Sequence, residues 1–345
     1  MKKTILKITI ATSLLAGLLV HDVDAQSMHF SQYYNAPMLL NPANTALMSD
    51  NDYRIGANYR NQWATIPVPY NTFSAFADFK LFHNEERNNW LGIGGAFFND
   101  KAGDGNLALT RIEGFVAYHL GITPTSMISA GLSYGAVQRS VNLGALTFDS
   151  QWDGFTFNKT LSNNESGNLA KTNFSTIGAG LNYAYFPNEA TYIKLGVGVA
   201  NINQPTESFY NMSNKVGIRP TVNLDGIFRL TEMWTLNPSV YYTTQTGAYE
   251  LVYGSLLKAQ ISNTKDNNTS LILGVFNRFN ESLIGAFGVE WNGLQVVGSY
   301  DFPISDIRPA TGSYGAMEFS IIYQGLYSNL RTGERGVRTM NCPRF

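Results

Sequence analysis

Thr221-Val222-Asn223-Leu224-Asp225-Gly226-Ile227-Phe228-Arg229-Leu230 changes character at almost every step. Successive side chains of a β-strand point to opposite faces. Here Val222, Leu224, Gly226, Phe228 and Leu230 therefore share one face, and Thr221, Asn223, Asp225 and Arg229 share the other. One face suits hydrocarbon and the other suits water. An amphipathic helix would need apolar residues three and four apart.

The same alternation recurs outward from this segment. Trp234, Leu236, Pro238, Val240 and Tyr242 oppose Thr235, Asn237, Ser239, Thr243 and Gln245, while Tyr53, Ile55, Ala57 and Tyr59 oppose Arg54, Gly56, Asn58 and Arg60. Near the end, Leu294, Val296, Gly298, Tyr300 and Phe302 alternate with Gln295, Ser299 and Asp301, and Met317, Phe319, Ile321 and Tyr323 alternate with Glu318, Ser320 and Gln324. Segments of this kind, ~10 residues long and separated by Gly, Asn, Pro and Asp clusters, are the signature of transmembrane barrel strands. They fall at 53–61, 71–82, 90–99, 106–120, 126–138, 173–186, 191–201, 217–230, 233–245, 249–261, 269–279, 282–292, 293–302 and 314–324. The expected fold is all-β, a transmembrane antiparallel β-barrel of about 14 strands, an even number as bacterial barrels usually have.

A soluble sandwich can also alternate, so the positions of the aromatics matter. Tyr53, Phe73, Phe79, Trp90, Trp234, Tyr242, Trp291, Tyr300 and Tyr323 lie near segment ends, where interfacial girdles belong. Loop lengths alternate too. Connections at 61–70, 139–172, 202–216 and 303–313 are long, whereas 121–124, 187–190 and Asn292-Gly293 are short, the last suited to a type I′ hairpin. Long loops belong outside the cell and short turns in the periplasm. Pro238 is the discordant residue, because it deprives a strand of a ladder hydrogen bond.

Composition agrees with a membrane barrel. Only 14% of residues are charged, against about a quarter in soluble domains, and 13% are aromatic. Net charge near zero argues against nucleic-acid binding, which needs a basic patch. Met1-Lys2-Lys3, an apolar run from Ile8 to Val20, and Val23-Asp24-Ala25 form a secretory signal peptide with cleavage expected before Gln26. A membrane anchor is the competing account, but the run is short for a spanning helix of about 20 residues. The expected organisation is a signal peptide at 1–25, an Asn- and Pro-rich cap or plug at 26–51, the barrel at 52–325 and a short periplasmic tail at 326–345.

Several chemistries are excluded by context. Cys342 stands alone and can form neither an internal disulfide nor a thiolate metal cluster. His29, His83 and His119 fall in three different elements without zinc spacing. Gly131-Leu132-Ser133-Tyr134-Gly135 matches a hydrolase nucleophile motif, yet it lies within a strand and no His follows it. Ser255-Leu256-Leu257-Lys258 matches S-x-x-K, also within a strand and without a K-T-G partner. The loop from Asp100 to Asn106 lacks the Glu that a calcium loop requires at its last position. No catalytic residue, metal or cofactor is expected. Asp78, Lys80, Glu113, Asp225, Arg229, Glu250, Lys258, Arg278, Glu290, Asp301 and Glu318 fall on or near inward faces, where a polar lumen with salt bridges across neighbouring strands accounts for them.

Two further stretches carry a resemblance. Residues 29–44, His-Phe-Ser-Gln-Tyr-Tyr-Asn-Ala-Pro-Met-Leu-Leu-Asn-Pro-Ala-Asn, and 54–63, Arg-Ile-Gly-Ala-Asn-Tyr-Arg-Asn-Gln-Trp, together resemble the opening signature of the PorP/SprF family. Phe30, Gln32, Tyr33, Asn35, Pro37, Asn41, Pro42, Asn58, Tyr59, Arg60, Gln62 and Trp63 carry it. Weaker similarity continues at 99–103, 146–152, Gln204-Pro205 and 299–301, although Asn201 and Asn203 stand where the family often has a His. The resemblance implies an outer-membrane part of the type IX secretion system, working with other secretion components and with secreted cargo. Some members look like core machinery linked to periplasmic rings, and others like dedicated partners of one large adhesin-like cargo, held at the surface by its C-terminal signal domain. The second role is the one expected here. Trp63, Trp152 and Phe155 are the expected extracellular partner contacts, because Trp and aromatic residues dominate hot spots. The rival from another class is an outer-membrane transporter for hydrophobic small molecules, since barrels of this size can enclose a channel.

Overall fold

The computed structural model describes residues 30–48, 50–63, 69–84, 87–103, 105–162, 164, 169–209, 214–263, 267–305 and 314–327. The signal-peptide expectation, His29, Cys342 and the tail beyond residue 327 lie outside the described residues.

Fourteen strands close on themselves: β1 (Tyr53–Gln62), β2 (Tyr70–Asn84), β3 (Asn89–Ala102), β4 (Leu107–Thr123), β5 (Ser126–Asn142), β6 (Leu169–Asn188), β7 (Thr191–Ala200), β8 (Arg219–Arg229), β9 (Trp234–Gln245), β10 (Ala248–Asn263), β11 (Asn268–Arg278), β12 (Ser282–Trp291), β13 (Leu294–Pro303) and β14 (Ala316–Gly325). Each pairs antiparallel with its chain neighbour, and β1 closes the ring on β14 with Arg60 opposite Glu318. Closure leaves no edge, the condition for a sheet to stand in hydrocarbon.

The alternation has the polarity of a membrane barrel. Ile112, Leu132, Tyr134 and Val275 are 58–64% exposed on the outer wall, whereas Arg60, His119, Arg278 and Glu318 are buried inside. A soluble sandwich would reverse that assignment. Phe73, Trp234, Tyr242, Trp291 and Tyr323 face outward as expected for girdles. Two girdle expectations fail. Trp90 points into the lumen, where its indole N–H donates to the Ala46 carbonyl at 2.9 Å, and Tyr53 is buried, its ring stacked on Tyr327. The Trp90 indole finds its partner inside, so it does not need the membrane interface.

Loop lengths sort by end. The β1–β2, β5–β6, β7–β8 and β13–β14 connections are long and lie at one end, while Glu189-Ala190 and Asn292-Gly293 close tight turns at the other. Asn292 and Gly293 both take positive φ, 54° and 85°, as a type I′ turn demands. The end with the long loops is taken as extracellular. β4 and β5 are longer than the sequence pattern implies, at 17 residues each. At ~3.3 Å per residue and a ~40° tilt such a strand rises about 43 Å, well past an apolar band ~25 Å tall. The surplus carries the β5–β6 loop clear of the membrane.

Candidate functional site

Residues 30–48 run down the lumen from the long-loop end to the short-turn end and then enter β1. Pro37 opens a single helical turn, Pro37–Leu40, and Pro42 opens a 3-10 turn, Pro42–Asn44; a fixed φ and a missing N–H suit proline to both first positions. Asn41 joins them, its side-chain oxygen accepting from the Ala43 N–H at 2.9 Å. The segment thus spans the whole lumen, farther than a cap folded into the mouth.

An ion network holds its upper end. The Ser31 hydroxyl donates to Asp301 Oδ2 at 2.6 Å and accepts from the guanidiniums of Arg60 and Arg278. The backbone N–H groups of Ser31 and Gln32 both donate to the Glu318 carboxylate, at 2.7 and 3.0 Å. Arg60 also pairs with Asp301 and Glu318 (3.0 and 3.3 Å), and Arg278 with Glu250 and Asp301 (2.9 and 3.1 Å). Two buried cations face three buried carboxylates, and the plug's own N–H groups supply the remaining positive potential. The plug is therefore part of the electrostatic balance of the wall. A lumen without it would leave the Glu318 carboxylate with fewer donors in a buried place, which is costly.

Below the network the contacts become directional and apolar. Phe30 packs edge-on against Phe98, and Tyr33 stacks on Tyr241 at 5.2 Å while its hydroxyl donates to Ser239 at 2.6 Å. Gln32 donates to Ser299, Asn35 to Ser320, and Asn58 to the Asn35 carbonyl. Lower still, Asn41 donates to Asn182, Asn44 accepts from Lys194, and His119 bridges Ser129 and the Thr45 carbonyl. Wall glycines permit the close approach, because a Cβ would stand 2.3 Å from the Thr45 carbonyl oxygen at Gly92 and 2.5 Å from Pro42 and Ala43 backbone atoms at Gly131.

The signature residues do not all converge. Phe30, Gln32, Tyr33, Asn35, Pro37, Asn41, Pro42, Asn58 and Arg60 line the plug–wall contact. Tyr59 faces outward, its hydroxyl donating to Asn71. Gln62 sits at the rim, accepting weakly from Arg60 at 3.5 Å, and Trp63 leaves β1 with φ 56°, packed edge-on against Tyr70. Ser31 and Arg278 are central to the network; the alternation put Arg278 on an inward face among many other charges and gave no reason to single out Ser31. Several inward charges pair along the wall, Arg54–Asp78 and Lys194–Asp225 between neighbouring strands and Lys258–Glu290 two strands apart; Arg229 is exposed. Among the described residues no cluster of metal-ligating side chains occurs.

The partner-contact candidates lie on two separate loops. In the β5–β6 loop Trp152 and Phe157 bridge as a minimal hairpin and pack edge-on at 5.0 Å. Asp153 accepts from the N–H groups of Phe155 and Thr156, bonds that hold its carboxyl below the usual range. Phe155 is thereby fixed at a tip with its ring 89% exposed.

A closed, lipid-facing barrel of this size with a chain-derived plug defines an outer-membrane protein. The chain belongs to the family of type IX secretion system membrane proteins PorP/SprF, which matches residues 22–323. No curated protein matches it. Similar solved structures are outer-membrane barrels. The Ralstonia pickettii toluene transporter TbuX is 11% identical, with TM-score 0.53 over 84% of this chain and 93% of that one. The CymD monoaromatic hydrocarbon channel is 12% identical, with TM-score 0.50 over 84% and 92%. The Pseudomonas putida toluene transporter TodX is 10% identical, with TM-score 0.50 over 86% and 94%. At such identity the likeness is one of fold.

Proposed function

We propose that this component of the type IX secretion system is a dedicated partner for one large adhesin-like cargo, whose C-terminal signal domain it holds at the outer rim. The observation that carries this reading is the ionic lock on the plug. Passage of a polypeptide through the lumen would require breaking buried contacts of Ser31 and Gln32 to Arg60, Arg278, Asp301 and Glu318, each costly to strand. Work at the rim requires none of this. There Phe155 stands on a braced tip and Trp152 beside it, the residue types that anchor protein interfaces. Trp63 is the third contact we assign.

The transporter reading is supported by the hydrocarbon transporters that share the fold, but a solute path along the lumen meets the same lock. The test is a quantitative comparison of surface-exposed and secreted proteins between a strain lacking this chain and its parent. Loss of one large surface protein, with other type IX cargo intact, is expected. Loss of all such cargo would assign the chain to the core machinery, and an unchanged set would overturn the secretion role.

A further inference from the structure

Pro238 lies in mid-strand, where the ladder needs an N–H. β8 and β9 hold one register throughout, with Asp225 opposite Ser239 and Phe228 opposite Leu236, yet pairing lapses between those points, where Gly226 and Ile227 face Pro238 and Asn237. Each of the four keeps its partner on its other side, in β7 or β10. Among the described residues this is the one ladder interrupted in mid-strand without a shift of register. The wall is thus sound except along a single seam in its short-turn half.

Different things lie on the two sides of that seam. Outside, the ring of Phe228 folds over Gly226: a Cβ on Gly226 would stand 2.7 Å from the ring and 3.1 Å from the Pro238 ring. Two side-chain rings therefore cover a stretch where backbone hydrogen bonds would ordinarily seal the sheet. Inside, a cavity of about 240 Å³ lies directly against the seam and is lined by all four of its residues. Toward the barrel's middle the cavity is walled by Tyr34, Leu40, Leu256 and Phe276; toward the short-turn end it meets two ion pairs, Lys258–Glu290 and Lys194–Asp225, and Arg54. The buried side-chain oxygen of Asn237 has no hydrogen-bond partner, nor has the Tyr34 hydroxyl. Buried polar atoms are seldom left in that state without a reason.

An apolar end, a polar end and a weak wall toward the membrane fit one class of ligand. We propose that the β8–β9 seam is a lateral portal, and that the cavity behind it binds the hydrocarbon chain of a single-chain amphiphile drawn from the membrane, with the chain against Leu256 and Phe276 and the head toward Lys258–Glu290. Each cation lining the cavity already has a carboxylate partner, Arg54 with Asp78, Lys194 with Asp225 and Lys258 with Glu290, so the head needs hydrogen bonds more than charge. The cavity is far too small for a folded partner. Phe228 is the shutter, since a change of its side-chain rotamer uncovers the seam without moving the strands.

The test uses the full mature chain carrying Cys342→Ser, in lipid nanodiscs, with a 16-carbon fatty acid bearing a diazirine at its chain end. Photolabelling followed by peptide mapping is expected to mark Leu256 and Phe276 inside, as well as Leu224 and Val240 on the lipid face. Ile227→Cys combined with Asn237→Cys places two thiols across the seam. Oxidation is expected to lower the inner labelling at least fivefold and leave the outer labelling unchanged, with recovery on reduction. Pro238→Val, which restores the missing N–H, should do the same without a crosslink. Labelling confined to the lipid face of the parent chain would overturn the site. Equal inner labelling in the parent, the oxidised pair and Pro238→Val would overturn the portal.

Discussion

Replacing Arg278 with methionine tests whether the plug and wall are joined by buried charge. The Arg278 side chain is 1% exposed, lies 2.9 Å from Glu250 and 3.1 Å from Asp301, and donates to Ser31 at 3.0 Å. Methionine replaces much of the volume, so the cost is chiefly electrostatic. Removing one member of a buried pair costs about 3–5 kcal/mol. Asp301 retains Arg60, which sets the expectation near the lower end, about 3 kcal/mol. With a urea dependence of about 3 kcal/mol per molar, the unfolding midpoint falls by about 1 M. The assay is a urea titration in detergent micelles, read by tryptophan fluorescence and by the migration shift between folded and unfolded barrel on gels. Glu281→Gln is the internal control. That carboxylate also touches Arg278, at 3.3 Å, but is 47% exposed, and its loss should move stability by no more than about 0.5 kcal/mol. A midpoint for Arg278→Met within about 0.2 M of the parent would refute the electrostatic lock.

Three further outcomes are expected. Gly131→Val drives two methyl groups toward the Pro42–Ala43 backbone and should cost about 1–3 kcal/mol by overpacking, with residues 30–48 becoming sensitive to protease while the barrel keeps its folded migration on gels. Gly293→Val forces a β-branched residue to φ 85° in the tight β12–β13 turn and should lower stability by about 1–2 kcal/mol in the same urea titration. Phe155→Ser, at the exposed tip of the β5–β6 loop, should leave stability within about 0.5 kcal/mol and reduce the surface amount of the cognate cargo several-fold in quantitative surface labelling.

Strand number, order and polarity were legible because period-two alternation is imposed by the membrane on nearly every spanning residue, and Val222, Leu224 and Phe319 could not face the lumen without exposing polar partners to lipid. The lumen was less legible for the same reason reversed. An inward face needs only to be polar, so Arg60, Glu250, Arg278 and Asp301 look alike in sequence whether they line water or meet across a plug. Their convergence depends on closure of the ring, which brings β1 beside β14. Trp90 was misplaced because position near a strand end is shared by girdle aromatics and by inward residues with a partner, here the Ala46 carbonyl. Ser31 had no periodic context, and only the fold shows that one hydroxyl serves two arginines and an aspartate.

Pro238 gives the opposite lesson, because its sequence signal was a violation. A proline in a spanning strand removes a hydrogen bond where no water can replace it. A barrel that was only a scaffold would gain stability from valine at that position. In natural proteins such breaches of local rules concentrate where the structure has a task beyond stability. Here the breach coincides with a cavity on one side, a glycine beneath an aromatic ring on the other, and an unsatisfied Asn237 oxygen between them. If the coincidence were only structural, Pro238→Val should stabilise the barrel and leave luminal labelling intact. A portal requires the stabilisation to come with closure, so measuring both on the same preparation separates the two accounts.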